Sequence, residues 1–218
     1  MLFANGFAIL ELMHDIKQID NIKKWLGIGS INIFGRPLAG KDYQGQQLAK
    51  ILGGELIGGG EILRSGTMPN HIKECMTTGK LVPSDDYFSI VLPYLNQSRL
   101  VGKPLIFSAV GRWHGEEEAV VNAAKLSGHP MKAVIYLDIS ADDLRARRQA
   151  SKIIADRGPR PDDTEEILTT RLAEFQEKTM PVIDYYRNHD LLIKVDGRPS
   201  RDEVTNSIIS ALYNHINS

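Results

Sequence analysis

INIFGRPLAGKDYQGQQLA, residues 31–49, opens as a short β-branched apolar run, crosses a turn rich in Gly and Pro, and continues into a helix-forming stretch from Lys41. Gly35, Gly40 and Lys41 satisfy G-x-x-x-x-G-K in the strand-then-helix context that separates phosphate-binding loops from chance matches. The chemistry needs that context. A loop without bulky side chains lets successive backbone N–H groups converge on phosphate oxygens, the following helix adds the positive end of its dipole, and the lysine adds a point charge. The strict motif continues with Ser or Thr to reach Mg²⁺, whereas Asp42 and Tyr43 follow here. Backbone binding survives that change, and a carboxylate at 42 offers the oxygen ligand that hard cations take.

Outward from the loop, short apolar segments alternate with longer amphipathic ones. Strands are predicted at 31–34, 54–57, 104–108, 132–138 and 191–195, each followed by a helical pattern. Continuous apolar strands separated by helices predict a parallel sheet covered on both faces, an α/β doubly wound fold of the P-loop NTPase type with five strands. Two intervals break the alternation. Between the second and third strands lie roughly 45 residues that read as several helices, far more than an ordinary connection, so an inserted helical subdomain is expected over 58–99. Between 152 and 163, KIIADRGPRPDD joins two helices and reads as a short lid. Before the first strand, Ile16, Ile19, Ile22 and Leu26 stand at helical spacing and stop at Gly27, so 1–30 reads as an N-terminal extension with an amphipathic helix. That stripe packs on the sheet edge, or serves dimerisation or docking.

The totals exclude several classes. A chain of 218 residues can bury a full core in one large domain, and its formal net charge of -1 gives no basis for a nucleic-acid partner. A single cysteine, Cys75, rules out an intramolecular disulfide and a cysteine zinc site, and fits a reducing compartment. The apolar first residues lack a basic start and a convincing cleavage site, and Asn5 and Glu11 interrupt them. The expectation is a soluble cytoplasmic protein with no membrane contact, a monomer or a dimer through its N-terminal helix. Among His and Cys, only His71 and Cys75 have ligand-like i, i+4 spacing, and two ligands make a weak metal site. Asp85 and Asp86, after Pro83 and Ser84, read as charges favouring a helix N-terminus.

From residue 31 onward, the order of motifs resembles the adenylate kinase family of nucleoside monophosphate kinases. The loop of that family reads G-x-P-G-x-G-K-G-T-Q, and GRPLAGKDYQ keeps Gly35, Pro37, Gly40, Lys41 and Gln44, with Asp42 at a glycine and Tyr43 at the threonine. The resemblance implies that Gly35, Leu38, Ala39, Gly40, Lys41, Asp42 and Tyr43 hold a donor ATP. The family's S-T-G-D-x-L-R aligns with GGGEILRS, making Arg64 a clamp on the acceptor phosphate and Gly59 the counterpart of a base-contacting threonine. TGKLVP matches the G-x-L-V segment, so Lys80, Leu81 and Val82 are implied to line the acceptor site. D-G-F-P-R and the glutamine after it align with SAVGRWHGEE. The resemblance then implies that Gly111 and Arg112 bind the acceptor, with Glu116 at the place of the base-reading glutamine and Ser108 at that of the aspartate near Mg²⁺.

PDDTEEILTTRLAEFQEKTMPVIDYY follows the family pattern most closely. The resemblance makes Arg160 and Arg171 the arginines closing on the transferring group and Arg148 a donor-side arginine. Lys152 stands where another arginine is usual, with Arg157 the candidate to compensate, and the resemblance places Gly197 of VDG beside the donor adenine. Residues 145–171 carry seven basic side chains, Arg145, Arg147, Arg148, Lys152, Arg157, Arg160 and Arg171. Phosphoryl transfer spreads negative charge over phosphate oxygens, which planar guanidinium groups match. Arg145 and Arg147 read as a solvated helix face paired with Asp162, Asp163, Glu165 and Glu166. The implied activity is transfer of the γ-phosphoryl group of Mg-ATP to a nucleoside monophosphate, AMP foremost, with Lys41, Arg112, Arg148, Arg160 and Arg171 as catalytic residues. Mg²⁺ is the implied cofactor, with Asp42 its candidate ligand. An acceptor-only Glu116 favours adenine, cytosine or guanine over uracil. The rival reading is a nucleotide-binding sensor or interaction protein with weak or no kinase activity, for which Tyr43 and Ser108 argue.

Overall fold

The computed structural model describes residues 16–60, 63, 69–154 and 164–218. Five strands, β1 (Ser30–Gly35), β2 (Glu55–Gly58), β3 (Leu105–Ser108), β4 (Met131–Asp138) and β5 (Leu192–Asp196), form one sheet in the order β2-β3-β1-β4-β5. Every pairing is parallel. Each strand lies within one or two residues of its predicted run, because uninterrupted Ile, Val, Leu and Phe suit a strand covered on both faces. Alternation then divides the side chains. Ile31 and Ile33 of β1 and Ala133, Ile135 and Leu137 of β4 join one core cluster, while Phe34, Val134 and Tyr136 join the other.

The first face is covered by α1 (residues 16–26), α2 (Lys41–Leu52) and α9 (Arg201–Asn217). Ile22 and Leu26 of α1 are fully buried there and Ile19 partly, whereas Ile16 is exposed, so most of the stripe packs inside this molecule. Gly45 explains how α2 lies so close to the sheet: a Cβ at that position would stand 2.6 Å from Leu56 Cδ1. The second face carries α4 (Ser84–Leu95), α5 (Glu117–Leu126) and α8 (Met180–Asn188), whose buried residues pack on Phe34 and Phe107. Asp85 and Asp86 occupy the first turn of α4, as their dipole preference requires. Remaining helices are α3 (Asn70–Thr78), α6 (Ala141–Ile154) and α7 (Glu165–Glu174). A π-helical turn, Phe175–Thr179, runs from α7 into α8.

This topology locates the site. The chain leaves β1 for one side of the sheet and later crosses to the other, so a crevice opens at the carboxyl end of β1 between the ends of β3 and β4. The loop 35–40 starts there. Among the described residues no helix is long and apolar enough to cross a membrane.

Candidate active site

The loop between β1 and α2 turns sharply enough to place Leu38 at φ 66° and Gly40 at φ 92°, both in the left-handed region. Glycine accepts that conformation freely, while Leu38 holds it against Cβ crowding, a local strain of the kind found at binding sites. Arg36 pins the base of the loop to β4. Its Nη1 donates to Tyr136 Oη and to Ile139 O, each at 3.0 Å, and its guanidinium lies over the Phe175 ring.

Lys41 Nζ folds back to donate to Gly35 O and Arg36 O, each at 2.9 Å. The residue keeps some surface toward the cleft, yet its amine lies deep among protein atoms. That burial lowers its pKa to about 8, helped by the charges of Arg171 and Arg112 and opposed by Asp42. Three cations from α2, the loop after β3 and α7 therefore share one small region. Asp42 Oδ1 accepts a 2.6 Å hydrogen bond from Ser108 Oγ at the end of β3.

The cleft around these groups has a volume of about 1010 Å³. Gly35, Leu38, Ala39, Gly40, Lys41, Asp42, Tyr43, Lys80, Leu81, Val82, Arg112, Arg171 and Gly197 all line it. Gly59, Gly111 and Glu116 do not. Gly59 backs onto Tyr87, since a Cβ there would meet Tyr87 Oη at 2.2 Å. Glu116 is 3% exposed and faces a much smaller cavity shared with Leu81, Val82, Tyr87, Arg112 and Trp113. Its Oε2 accepts from the Trp113 N–H at 3.0 Å, and its Oε1 has no hydrogen-bond partner among the described residues. Burial pushes the neighbouring Tyr87 hydroxyl up to about 12, so it stays protonated. Arg64, Arg157 and Arg160, with most of the expected lid, lie outside the described residues, as do the side chains of Arg148 and Lys152.

Several residues that sequence reasoning passed over build this site. Asn32 of β1 is buried and clasps the loop after β3: its Nδ2 donates to Val110 O at 2.8 Å and its Oδ1 accepts from the Val110 N–H at 3.3 Å. Thr179 Oγ1 donates to Arg112 O at 3.1 Å from the π-helical turn, a widened turn of a type often found at functional sites. Glu174 accepts from the Leu81 N–H at 3.1 Å and pairs with Lys178 at 2.7 Å, joining α7 to the segment that precedes α4. Lys178 in turn lies 4.0 Å from the Trp113 ring centroid. A buried asparagine within an apolar strand was the one visible signal.

One expectation needs correction. Arg147 does not belong to a solvated face: its Nη2 donates to the carbonyls of Gly197, Arg198 and Pro199. Arg145 does stay on the surface, paired with Asp142 at 3.1 Å. The α1 stripe packs in the core cluster that includes residues of β1, β4 and the edge strand β5. His71 meets Asp86 at 3.1 Å, and no group of three or more His, Cys, Asp or Glu among the described residues is arranged to hold a metal.

The strand order, with a glycine-rich loop leading from the central strand into a helix, defines the phosphate-loop class of nucleotide-binding α/β proteins. Within that class, the family model described as adenylate kinase matches residues 33–191. An adenylate kinase of Thermus thermophilus is 31% identical over 193 residues, covering 86% of this chain and 99% of the relative. That of Parvibaculum lavamentivorans is 31% identical over 185 residues, covering 83% of this chain and 90% of the relative. One from Dehalococcoides mccartyi is 28% identical over 211 residues, covering 84% of this chain and 97% of the relative. The chain belongs to the adenylate kinase family. At family level it is a phosphotransferase of the adenylate kinase type.

Proposed function

We propose that this protein transfers the γ-phosphoryl group of ATP to a nucleoside monophosphate, AMP foremost, yielding two nucleoside diphosphates. The observation that carries the reading is the convergence of Lys41, Arg112 and Arg171 on one cleft, where burial foremost, and the two arginine charges after it, lower the lysine's pKa. Three cations held together are mutually repulsive, and a polyanionic ligand relieves that cost. In the step itself, the bond from the γ-phosphorus to the bridging oxygen of the departing ADP breaks as an acceptor phosphate oxygen bonds to the same phosphorus. The acceptor oxygen is already ionised, so no general base is needed and positioning suffices. Lys41 and the loop N–H groups hold donor phosphates, Arg112 and Arg64 the acceptor phosphate, and Arg148, Arg160 and Arg171 the group in flight.

Asp42 fits a Mg²⁺ ion that arrives with the nucleotide, because its carboxylate lines the cleft and Ser108 orients one oxygen by a hydrogen bond. Among the described lining residues only Asp42 and Glu174 carry carboxylates, so such an ion would draw most of its ligands from water and phosphate oxygens, as Mg²⁺ prefers. When bound it neutralises charge on the donor phosphates.

Glu116 supports an acceptor with an exocyclic amino group, since its buried Oε1 has no donor among the described residues and a carboxylate can only accept. Reaching that oxygen requires the small cavity to widen. One observation favours the sensor reading: Tyr43 turns its hydroxyl to Asp202, 3.3 Å away, and leaves no hydroxyl at the family threonine's place. A panel of AMP, CMP, GMP and UMP with Mg-ATP tests both points. Turnover led by AMP supports the proposal, UMP as the best acceptor overturns the role of Glu116, and binding without turnover of any member supports the sensor.

A further inference from the structure

The segment from Gly197 to Ser200, which joins β5 to α9, forms part of the wall of the cleft. Gly197, Arg198, Pro199, Ser200 and Arg201 all line it. Several of its tethers come from neighbouring elements. The Gly197 N–H donates to Asp138 O at 2.8 Å, which ties the wall to β4. Gln44 Nε2 donates to Arg201 O at 2.9 Å, and the Arg201 guanidinium lies 4.9 Å from the Tyr43 ring centroid, which tie it to α2. Between these anchors, the three successive carbonyls of Gly197, Arg198 and Pro199 converge on a single atom, Nη2 of Arg147 on α6.

That convergence is unusual in its electrostatics. Three carbonyl oxygens aimed at one point repel one another; the turn has local ties, the Arg198 N–H donating to Asp196 Oδ1 and the Ser200 N–H to Glu203 Oε2, each at 2.9 Å, but neither offsets the facing carbonyls. A cation at the focus makes it favourable. Nη2 has two hydrogens for three acceptors, so one bond is shared, and the positive charge rather than ideal geometry holds the turn. Burial lowers the pKa of Arg147, while Asp143 and Asp196 oppose that effect, so the cation is partly withdrawn from water and flanked by carboxylates. A guanidinium in such surroundings remains charged.

The geometry points to Arg147 as the positioning residue for the donor-nucleoside wall of the cleft, fixing the 197–199 turn so that the nucleoside end of ATP finds a preformed surface. This rests on the donor reading given above. The phosphate end is gripped by the loop and Lys41, so losing Arg147 weakens what lies beyond the phosphates and leaves the phosphate grip intact. It also ties the wall to α6, the helix that runs on toward the lid sequence.

Calorimetry with two probes tests the assignment: a non-hydrolysable ATP analogue, and inorganic tripolyphosphate, which lacks the nucleoside. Arg147→Met is expected to weaken the analogue about tenfold, near the effect of losing one charge-assisted hydrogen bond, with tripolyphosphate affinity unchanged. Arg147→Lys, which retains a cation, is expected to recover part of the loss and serves if the Met variant folds poorly. Arg145→Met, on the exposed side of the same helix, is expected to match the unaltered protein. In steady state, KM for ATP rises while KM for the acceptor holds. Unchanged analogue affinity in Arg147→Met overturns the assignment, as does an equal loss for both probes, which marks general damage. If the unaltered protein binds tripolyphosphate but gains nothing from the nucleoside, the donor reading falls, and the assignment with it.

Discussion

Nucleotide affinity is expected to fall steeply between pH 7 and pH 9 because of one amine. Burial among protein atoms and the nearby arginines hold Lys41 at a pKa of about 8 in the free protein. Phosphates placed against that amine favour its charged form and restore a value near the ordinary lysine range of about 10.4. The bound state then holds more protons than the free state, so affinity is greatest below pH 8 and declines as pH rises through it. With a free-state pKa of 8, the charged fraction is about 0.9 at pH 7 and about 0.1 at pH 9, and Kd for ADP rises about tenfold across that interval. At pH 8 each binding event takes up about half a proton. Calorimetry in two buffers of different ionisation enthalpy reads both quantities. Lys41→Arg is expected to flatten the profile, since a guanidinium stays charged throughout. A Kd constant within about twofold from pH 7 to 9, or the same slope in Lys41→Arg, would refute the reasoning.

Other consequences concern the metal, the contact between Gly59 and Tyr87, and the core. Asp42→Asn is expected to raise the Mg²⁺ concentration for half-maximal turnover and to weaken Mn²⁺ binding with ADP, read by electron paramagnetic resonance. Ser108→Ala, which removes the 2.6 Å bond to Asp42, should do the same by a smaller factor of about three to five, worth about 1 kcal/mol, and add little in the double variant; an unchanged Mg²⁺ requirement in Asp42→Asn contradicts this. Gly59→Ala forces a methyl to 2.2 Å from Tyr87 Oη and is expected to cost about 1–3 kcal/mol in urea unfolding, less in a Tyr87→Phe background; equal cost in both backgrounds counts against the clash. Tyr186 is fully buried and its hydroxyl has no hydrogen-bond partner among the described residues, so Tyr186→Phe should leave stability unchanged or raise it by about 1 kcal/mol; a loss of that size would reveal a partner.

Local pattern carried much of the architecture and little of the site's fine structure. The loop from Gly35 to Lys41 was readable because its glycines, its lysine and the flanking strand and helix are all sequence neighbours. Strand positions followed from period and composition for the same reason. Asn32, by contrast, acts on Val110, 78 positions away, and Glu174 on Leu81, 93 positions away. Neither spacing nor residue type announces such pairs, because they are set by how the sheet brings β1 beside β3 and how α7 crosses the segment before α4. Arg147 shows the limit most sharply. On its own helix it looks like any solvated arginine two positions from Arg145, and only the return of the chain after β5 gives it three carbonyls to hold. Asp42 and Ser108 are the opposite case: 66 positions apart, each departs from the family motif around the same ion, and their side chains touch.

The central claim is that the cations gathered in the cleft move a phosphoryl group between nucleotides. Its most direct measurement is ADP formation from Mg-ATP and AMP by the unaltered protein beside Lys41→Ala and Arg112→Ala, with ATP binding followed in parallel. The account predicts ADP in a two-to-one ratio to AMP consumed, reduced by at least about a hundredfold in each variant. ATP bound by the unaltered protein with no ADP formed, or turnover that survives both substitutions, would contradict it.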